Sequence, residues 1–323
     1  MSILKAINQR IPQKHEFVFS SIGRINQLDA IVIHHPSTAF CLSPFLPRSS
    51  LSLSEHIQYI RKNEIRKAIV VAENISFLQQ CPCLEQLVII PSETVDSFDY
   101  TPLYSMPNIK WLNCTTVWGE KGKHIAHIDY EKLPDVVHLT VMGKAGHHHV
   151  NALQKLTTLY LGQGAPSEGT LFNSISGDVL KHLSLCQSSV RSLAGVEAAS
   201  GLIQLSLSYC RSLSDISALS NLRHSLRWLE IESCGKLKDF SPIQELDNLE
   251  YLFLRGSNSL PTLSFLSMLP KLQYFEFSMN CEDGDISVCD RIVGVRIKNR
   301  RHYNRKNSDF LQHYVLTDEL LDW

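Results

Sequence analysis

Three groups of side chains have the types and spacing from which chemistry is made. His147-His148-His149 follows Gly143 and Gly146 in an expected turn, and imidazoles are common ligands of zinc and copper. Adjacent histidines in one loop rarely converge on a single ion, and no Cys or carboxylate stands at ligand spacing beside them. The expectation is a solvated or partner-contacting loop and no metal. His34-His35, after an expected strand, reads the same way. Cys81-Pro82-Cys83 sets two thiols one residue apart, too tight for an ordinary disulfide loop and directly before an expected strand, so burial is expected.

The third group is basic. Arg296, Lys298, Arg300, Arg301, Arg305 and Lys306, with Tyr303 among them, form a run that could touch phosphate or RNA. Acidic residues follow it, and 31 Lys plus Arg against 32 Asp plus Glu leave a net charge of −1, so there is no overall field to recruit nucleic acid. A solvated loop or a salt-bridged cap is expected instead. The sequence contains no GxxxxGK[ST], no GxGxxG after a strand, no GxSxG and no HExxH, so no catalytic residues and no cofactor are assigned.

The elements that hold these groups are written in leucine. It makes up 44 of the 323 residues, and 27 of the 44 fall between Leu153 and Leu272. Such crowding points to a repeat. The pattern apolar-x-x-apolar-x-apolar recurs from Leu180, Leu202, Leu226, Leu249 and Leu272, at spacings of 22, 24, 23 and 23 residues. Three copies continue in step through Leu213, Ile216, Leu219 and Leu222; Leu237, Phe240, Ile243 and Leu246; and Leu260, Leu263, Leu266 and Leu269. Weaker copies begin at Leu84, Ile109, Val136 and Leu156, and Ile292-x-x-Val295-x-Ile297 reads as the last rung. The alternating segment makes a short strand with one face buried, and apolar residues three apart carry the chain back along a 3₁₀-like path.

These residues resemble the leucine-rich repeat family, and SDISALSNL and KDFSPIQEL look like the short repeats of bacterial, internalin-like members. The resemblance covers about Leu84 to Ile297. It implies an α/β solenoid, a horseshoe with a parallel β-sheet on its concave face and short helical, 3₁₀ or irregular segments on its convex face. It also implies asparagine at the ninth repeat position, where the amide satisfies turn backbone. Here that position holds Ser188, Cys210, Cys234, Ser257 and Asn280, the cysteines being expected as small buried residues without a reactive role.

In this register the residues that leave the concave sheet include Trp111, His138, Tyr160, His182, Tyr209, Trp228, Glu230, Glu232, Tyr251, Phe253, Arg255, Tyr274 and Glu276, with Met279 beyond them. Aromatic residues, Arg and Met are enriched at protein interfaces, and their recurrence on one face points to a protein partner. Glu230, Glu232 and Glu276 are expected near Arg255, giving a mildly acidic surface that favours a basic patch on the partner.

Residues 1–80 read as an N-terminal cap with degenerate repeats, including strands at Leu28 to Ile33 and Ile65 to Val71 and a short helix from Ser54 to Asn63. Residues 81–298 read as the repeat solenoid, and 299–323 as a C-terminal cap whose acidic, apolar end, Leu316 to Trp323, folds over the last coil. Charged residues interrupt Met1 to Phe19, so no secretory signal is read there, and no stretch reaches the roughly 18 apolar residues of a membrane helix. Nine cysteines without paired spacing fit reduced thiols, and a cytoplasmic location is expected.

The function expected is a non-catalytic protein-interaction module using the concave face. A bacterial immunity protein or antitoxin that neutralises a cognate toxin is a sharper form of the same idea. A glycan-binding repeat protein and a Cys/His enzyme are the alternatives from other classes.

Overall fold

The computed structural model describes residues 19–20, 30–34, 51–92, 98–114, 128–142, 150–163 and 178–310. They fall into two compact units, divided in sequence between Leu156 and Thr157. The histidine triplet 147–149, His35 and the tail from 311 to 323 lie outside the described residues, and so does the side chain of His34.

In the first unit β1 (Phe19–Ser20) runs antiparallel to β2 (Ala30–His34). After α1 (Leu53–Lys62), the strands β3 (Lys67–Ala72), β4 (Gln86–Pro91), β5 (Trp111–Cys114) and β6 (His138–Met142) join β2 in parallel, in chain order. The helix starts one residue before the expected Ser54, because Ser52 caps it. Ser52 Oγ accepts from the Glu55 amide at 3.3 Å, and the Glu55 carboxylate accepts from the Ser52 amide at 2.7 Å. Every residue of β3 is buried, and Ile69 and Val71 belong to an apolar cluster with Ala30, Val32, Val88 and Ile90 on which Trp111 packs.

The second unit repeats one coil. Its strands are β7 (Thr158–Gly162), β8 (His182–Cys186), β9 (Gln204–Ser208), β10 (Trp228–Glu232), β11 (Tyr251–Arg255), β13 (Tyr274–Phe277) and β15 (Gly294–Ile297), all parallel and in chain order. Two-residue strands β12 (Ser259–Leu260) and β14 (Asn280–Cys281) pair separately. Pairing sets Leu183, Leu205, Leu229, Leu252 and Phe275 side by side, and likewise Leu185, Leu207, Ile231, Leu254 and Phe277. All ten are at most 1% exposed, so the pattern that recurs in sequence becomes two continuous apolar rows.

Two moves recur from coil to coil. After β8, β9, β10 and β11 the chain leaves its strand through a residue with positive φ: Gln187 at 53°, Tyr209 and Ser233 at 56°, and Gly256 at 134°. The amides of Gln187, Tyr209 and Ser233 donate to the carbonyls that end the next strands, at Ser208, Glu232 and Arg255, over 2.8–2.9 Å. That bond offsets the cost of left-handed backbone at a non-glycine residue. Later the coil turns into a 3₁₀ segment, at Ser217–Leu222, Ser241–Glu245, Ser264–Met268 and Ser287–Arg291. A polar side chain two residues before each serine receives its amide: Asp215 at 2.8 Å, Asp239 at 2.8 Å, Thr262 at 3.1 Å and Asp285 at 3.0 Å. Short polar side chains close such turns because they bond the backbone two residues on.

The ninth-position expectation needs correction in two coils. Ser188, Cys210 and Cys234 are buried at that position, but Ser257 is exposed and Asn280 half-buried; the buried residues are Asn258 and Cys281. One added residue after β11 and after β13 moves the buried position along by one. At β11 the extra residue is accommodated by Gly256, where a Cβ would stand 3.1 Å from the Ser233 amide nitrogen. The same shift buries Met279, which was expected to point outward.

At the C-terminal end of the described residues, three arginines of the basic run contact the preceding coils. Arg300 donates to the Met279 carbonyl at 3.1 and 3.2 Å, Arg305 pairs with Asp290 at 3.0 Å, and Arg296 approaches Glu276 at 3.8 Å. The Cys281 amide donates to Tyr303 Oη at 2.9 Å, and the Ile297 amide to Asn307 Oδ1 at 2.7 Å.

Candidate partner-binding face

Side chains alternate across a strand, so residues between the two leucine rows emerge on the opposite, outer face. In the first unit this places Trp111 beside His138, which it stacks against with ring centroids 4.7 Å apart. The other residues expected on this face belong to the second unit. Strand pairing orders them as His182, Gln204, Trp228, Tyr251 and Tyr274 in one row, and Tyr160, Ser184, Ser206, Glu230, Phe253 and Glu276 in the next. Glu232 and Arg255 form a third row, with Tyr209 beside them.

The aromatic residues of β10 to β13 form a packed layer rather than an exposed ladder. Trp228, Tyr251, Phe253 and Tyr274 are all buried, Phe253 at 2% exposure. Trp228 stacks on Phe253 with centroids 4.6 Å apart and leans on Tyr251 at 5.3 Å, while Phe253 meets Tyr274 at 5.3 Å. These offset geometries are the favoured ones for aromatic pairs. The buried indole N–H of Trp228 finds no acceptor among the described residues.

Charge is laid on top of this layer. The Arg255 guanidinium lies 4.9 Å from the Phe253 centroid, and its Nε donates to Glu276 Oε1 at 2.7 Å while Nη1 bonds Glu230. Ser206 Oγ donates to Glu230 at 3.2 Å, and Tyr209 Oη donates to Glu232 at 3.0 Å. That bond holds the Tyr209 hydroxyl above its ordinary range. Tyr209 is 42% exposed, in contrast to the buried aromatics around it. His182 sits half-buried in the first row, and burial lowers its pKa to about 4.

Coils of 22 to 24 residues, paired in register, each bury the same leucines and close over a small buried turn residue, and that combination decides the fold. It is the leucine-rich repeat fold. Solved structures similar to it include an internalin (inlF) from Listeria monocytogenes, at 17% identity over 78% of this chain and 73% of that one, with a TM-score of 0.46. An internalin C2 (inlC2) from the same organism is 20% identical over 56% of this chain and 81% of that one, with a TM-score of 0.42. The functional domain of InlJ, again from L. monocytogenes, is 16% identical over 72% of this chain and 48% of its own, with a TM-score of 0.42. No family model and no curated protein sequence matches the chain.

Within the repeats the chemistry is subdued. The eight described cysteines are free thiols, and burial pushes Cys81 up to about 11 and Cys289 up to about 12. Cys210 and Cys234 act on one another, the first held above and the second below an ordinary thiol, while each donates to backbone carbonyls. A nucleophilic cysteine needs both a lowered pKa and access, and Cys234 is 0% exposed. No group of three His, Cys, Asp or Glu among the described residues is placed to hold a metal ion. No helix of the described residues is long and apolar enough to cross a membrane.

Two features escaped the sequence reading. The Asp215, Asp239, Thr262 and Asp285 caps recur at 24, 23 and 23 residues, each two positions before a serine, the first two inside the phrases that suggested the resemblance. Their signal is polar, whereas the repeat is defined by its apolar positions. The left-handed backbone of Tyr209, which lifts its ring clear of the buried layer, has no sequence signal, because such backbone favours glycine or asparagine.

Proposed function

We propose that this protein is a non-catalytic interaction module that holds one protein partner against the outer face of β8 to β13. The observation that carries the reading is the charged layer over buried aromatics: Arg255, Glu230, Glu232 and Glu276 above Trp228, Phe253 and Tyr274, with Tyr209 exposed at its edge. Binding energy at protein interfaces concentrates in such places, where rigid aromatic and guanidinium groups are surrounded by polar contacts. A floor already packed in the free protein loses little side-chain entropy on binding. The same regularity leaves the strands with short polar side chains, Ser184 and Ser206, over which a partner can approach closely. The free thiols accord with a reducing compartment such as the cytoplasm.

Photo-crosslinking tests this. p-Benzoylphenylalanine placed at Ser184 on the outer face should capture one stoichiometric protein from a lysate of the host cell. The same group at Met268, which is 60% exposed in the Ser264–Met268 3₁₀ segment, should not. Equal capture at both positions, or capture at Met268 alone, overturns the reading.

A further inference from the structure

Arg255 shows what this face does with a guanidinium: it spreads the group over an aromatic ring, Phe253, and bonds its edge to carboxylates, Glu230 and Glu276. The same face builds these parts a second time. Tyr209 and Glu232 set an aromatic ring and a carboxylate side by side, joined by the 3.0 Å bond from Tyr209 Oη to Glu232 Oε1. No cation of their own stands there among the described residues. The nearest is Arg255 Nη1, 4.0 Å from Glu232 Oε2 and already bonded to Glu230.

Charge on the face is correspondingly unbalanced. Three carboxylates, Glu230, Glu232 and Glu276, face Arg255 within the cluster and Arg296 at its margin, the latter 3.8 Å from Glu276 with its side chain 73% exposed. A partner that covers Glu232 strips water from a carboxylate lacking a full counter-charge, which is unfavourable unless the partner brings a cation.

We propose that Tyr209 and Glu232 form a subsite for an arginine side chain of the protein partner, its guanidinium stacked on the Tyr209 ring and hydrogen-bonded to the free edge of the Glu232 carboxylate. Arginine rather than lysine fits because a planar fork can stack and bond sideways at once, as Arg255 does. The inference rests on the partner-binding reading of this face and sharpens it.

The test uses the full chain and small probes at fixed ionic strength, with NMR signals from labelled aromatic rings. N-acetyl-Gly-Arg-Gly-amide should shift the Tyr209 ring signals saturably, with a midpoint on the order of 10 mM for one charge-assisted contact and one stacked cation. The citrulline peptide of the same shape should leave them unmoved, and the lysine peptide should bind at least threefold more weakly. Glu232→Gln should abolish saturation. Tyr209→Phe, which keeps the ring, should retain it, the shift being read on the labelled phenylalanine ring introduced at that position. An equal response to citrulline or lysine, a response that survives Glu232→Gln, or no shift at all overturns the subsite. Those results leave the crosslink from Ser184 standing, whereas loss of that crosslink removes the face itself.

Discussion

Trp228 and Phe253, on neighbouring strands, stack with ring centroids 4.6 Å apart and planes inclined by 29°. Both emerge on the outer face, yet each is buried, so this contact belongs to the stability of the protein as much as to recognition. Trp228→Ala should therefore cost on the order of 3 kcal/mol in chemical denaturation, close to a core truncation. Tyr209→Ala, at an exposed ring, should stay within about 0.5 kcal/mol of the parent. Equal costs for the two would contradict the packed layer.

Asn258 ties two coils together. Its Nδ2 donates to the carbonyls of Cys234 at 3.1 Å and Leu237 at 2.8 Å from a site 5% exposed. Asn258→Ala leaves both carbonyls without that donor and should destabilise by about 2 kcal/mol, whereas Ser257→Ala should be neutral within about 0.5 kcal/mol. If Ser257→Ala proved the more damaging, the coil would be in the register first expected from the sequence.

Leu229 sits in the middle of an inward row, between Leu205 and Leu252. Leu229→Ala should cost about 2–5 kcal/mol, read as a fall in Tm. An unchanged Tm would refute the inward assignment of the whole row.

Acid should weaken the fold in two stages. Burial keeps His182 neutral down to about pH 4, against 6.5 for a free imidazole, so across that window the unfolded chain binds a proton that the folded one does not. Stability therefore falls as the pH drops from 6.5 toward 4. Below that, Asp215, Asp239 and Asp285 contribute. Hydrogen bonds from the amide and hydroxyl of Ser217, and from the hydroxyl and amide of Ser241 and of Ser287, hold these carboxyls below their ordinary 3.8. They protonate first in the unfolded chain, and further stability is lost as the pH falls through their folded values. Urea midpoints measured from about pH 7 to about pH 3 should decline throughout, and His182→Gln should flatten the upper part. A flat profile from about 7 to 4 would contradict the buried, neutral imidazole.

The inward rows were legible because burying one face of a strand imposes period two, and stacking coils imposes the period of 22 to 24; both leave apolar residues at fixed offsets. The juxtaposition of Arg255 with Glu230, Glu232 and Glu276 followed from the same register. What could not be read was local backbone. Gly256 absorbs an inserted residue and moves the buried turn from Ser257 to Asn258, and a single chain pattern does not say which of two adjacent small polar residues turns inward. Nor does the pattern say whether an outward aromatic is displayed or packed. Trp228, Phe253 and Tyr274 cover one another because strands only about 4.8 Å apart force large rings into contact.

The claim that the outer face is the binding surface is tested most directly by calorimetric titration of the protein captured through Ser184. Ser184→Trp, which fills the space above β8, should weaken binding at least tenfold at unchanged Tm, and Met268→Trp should bind as the parent does. Parent-like affinity in Ser184→Trp together with weakened binding in Met268→Trp would place the partner elsewhere and contradict the account.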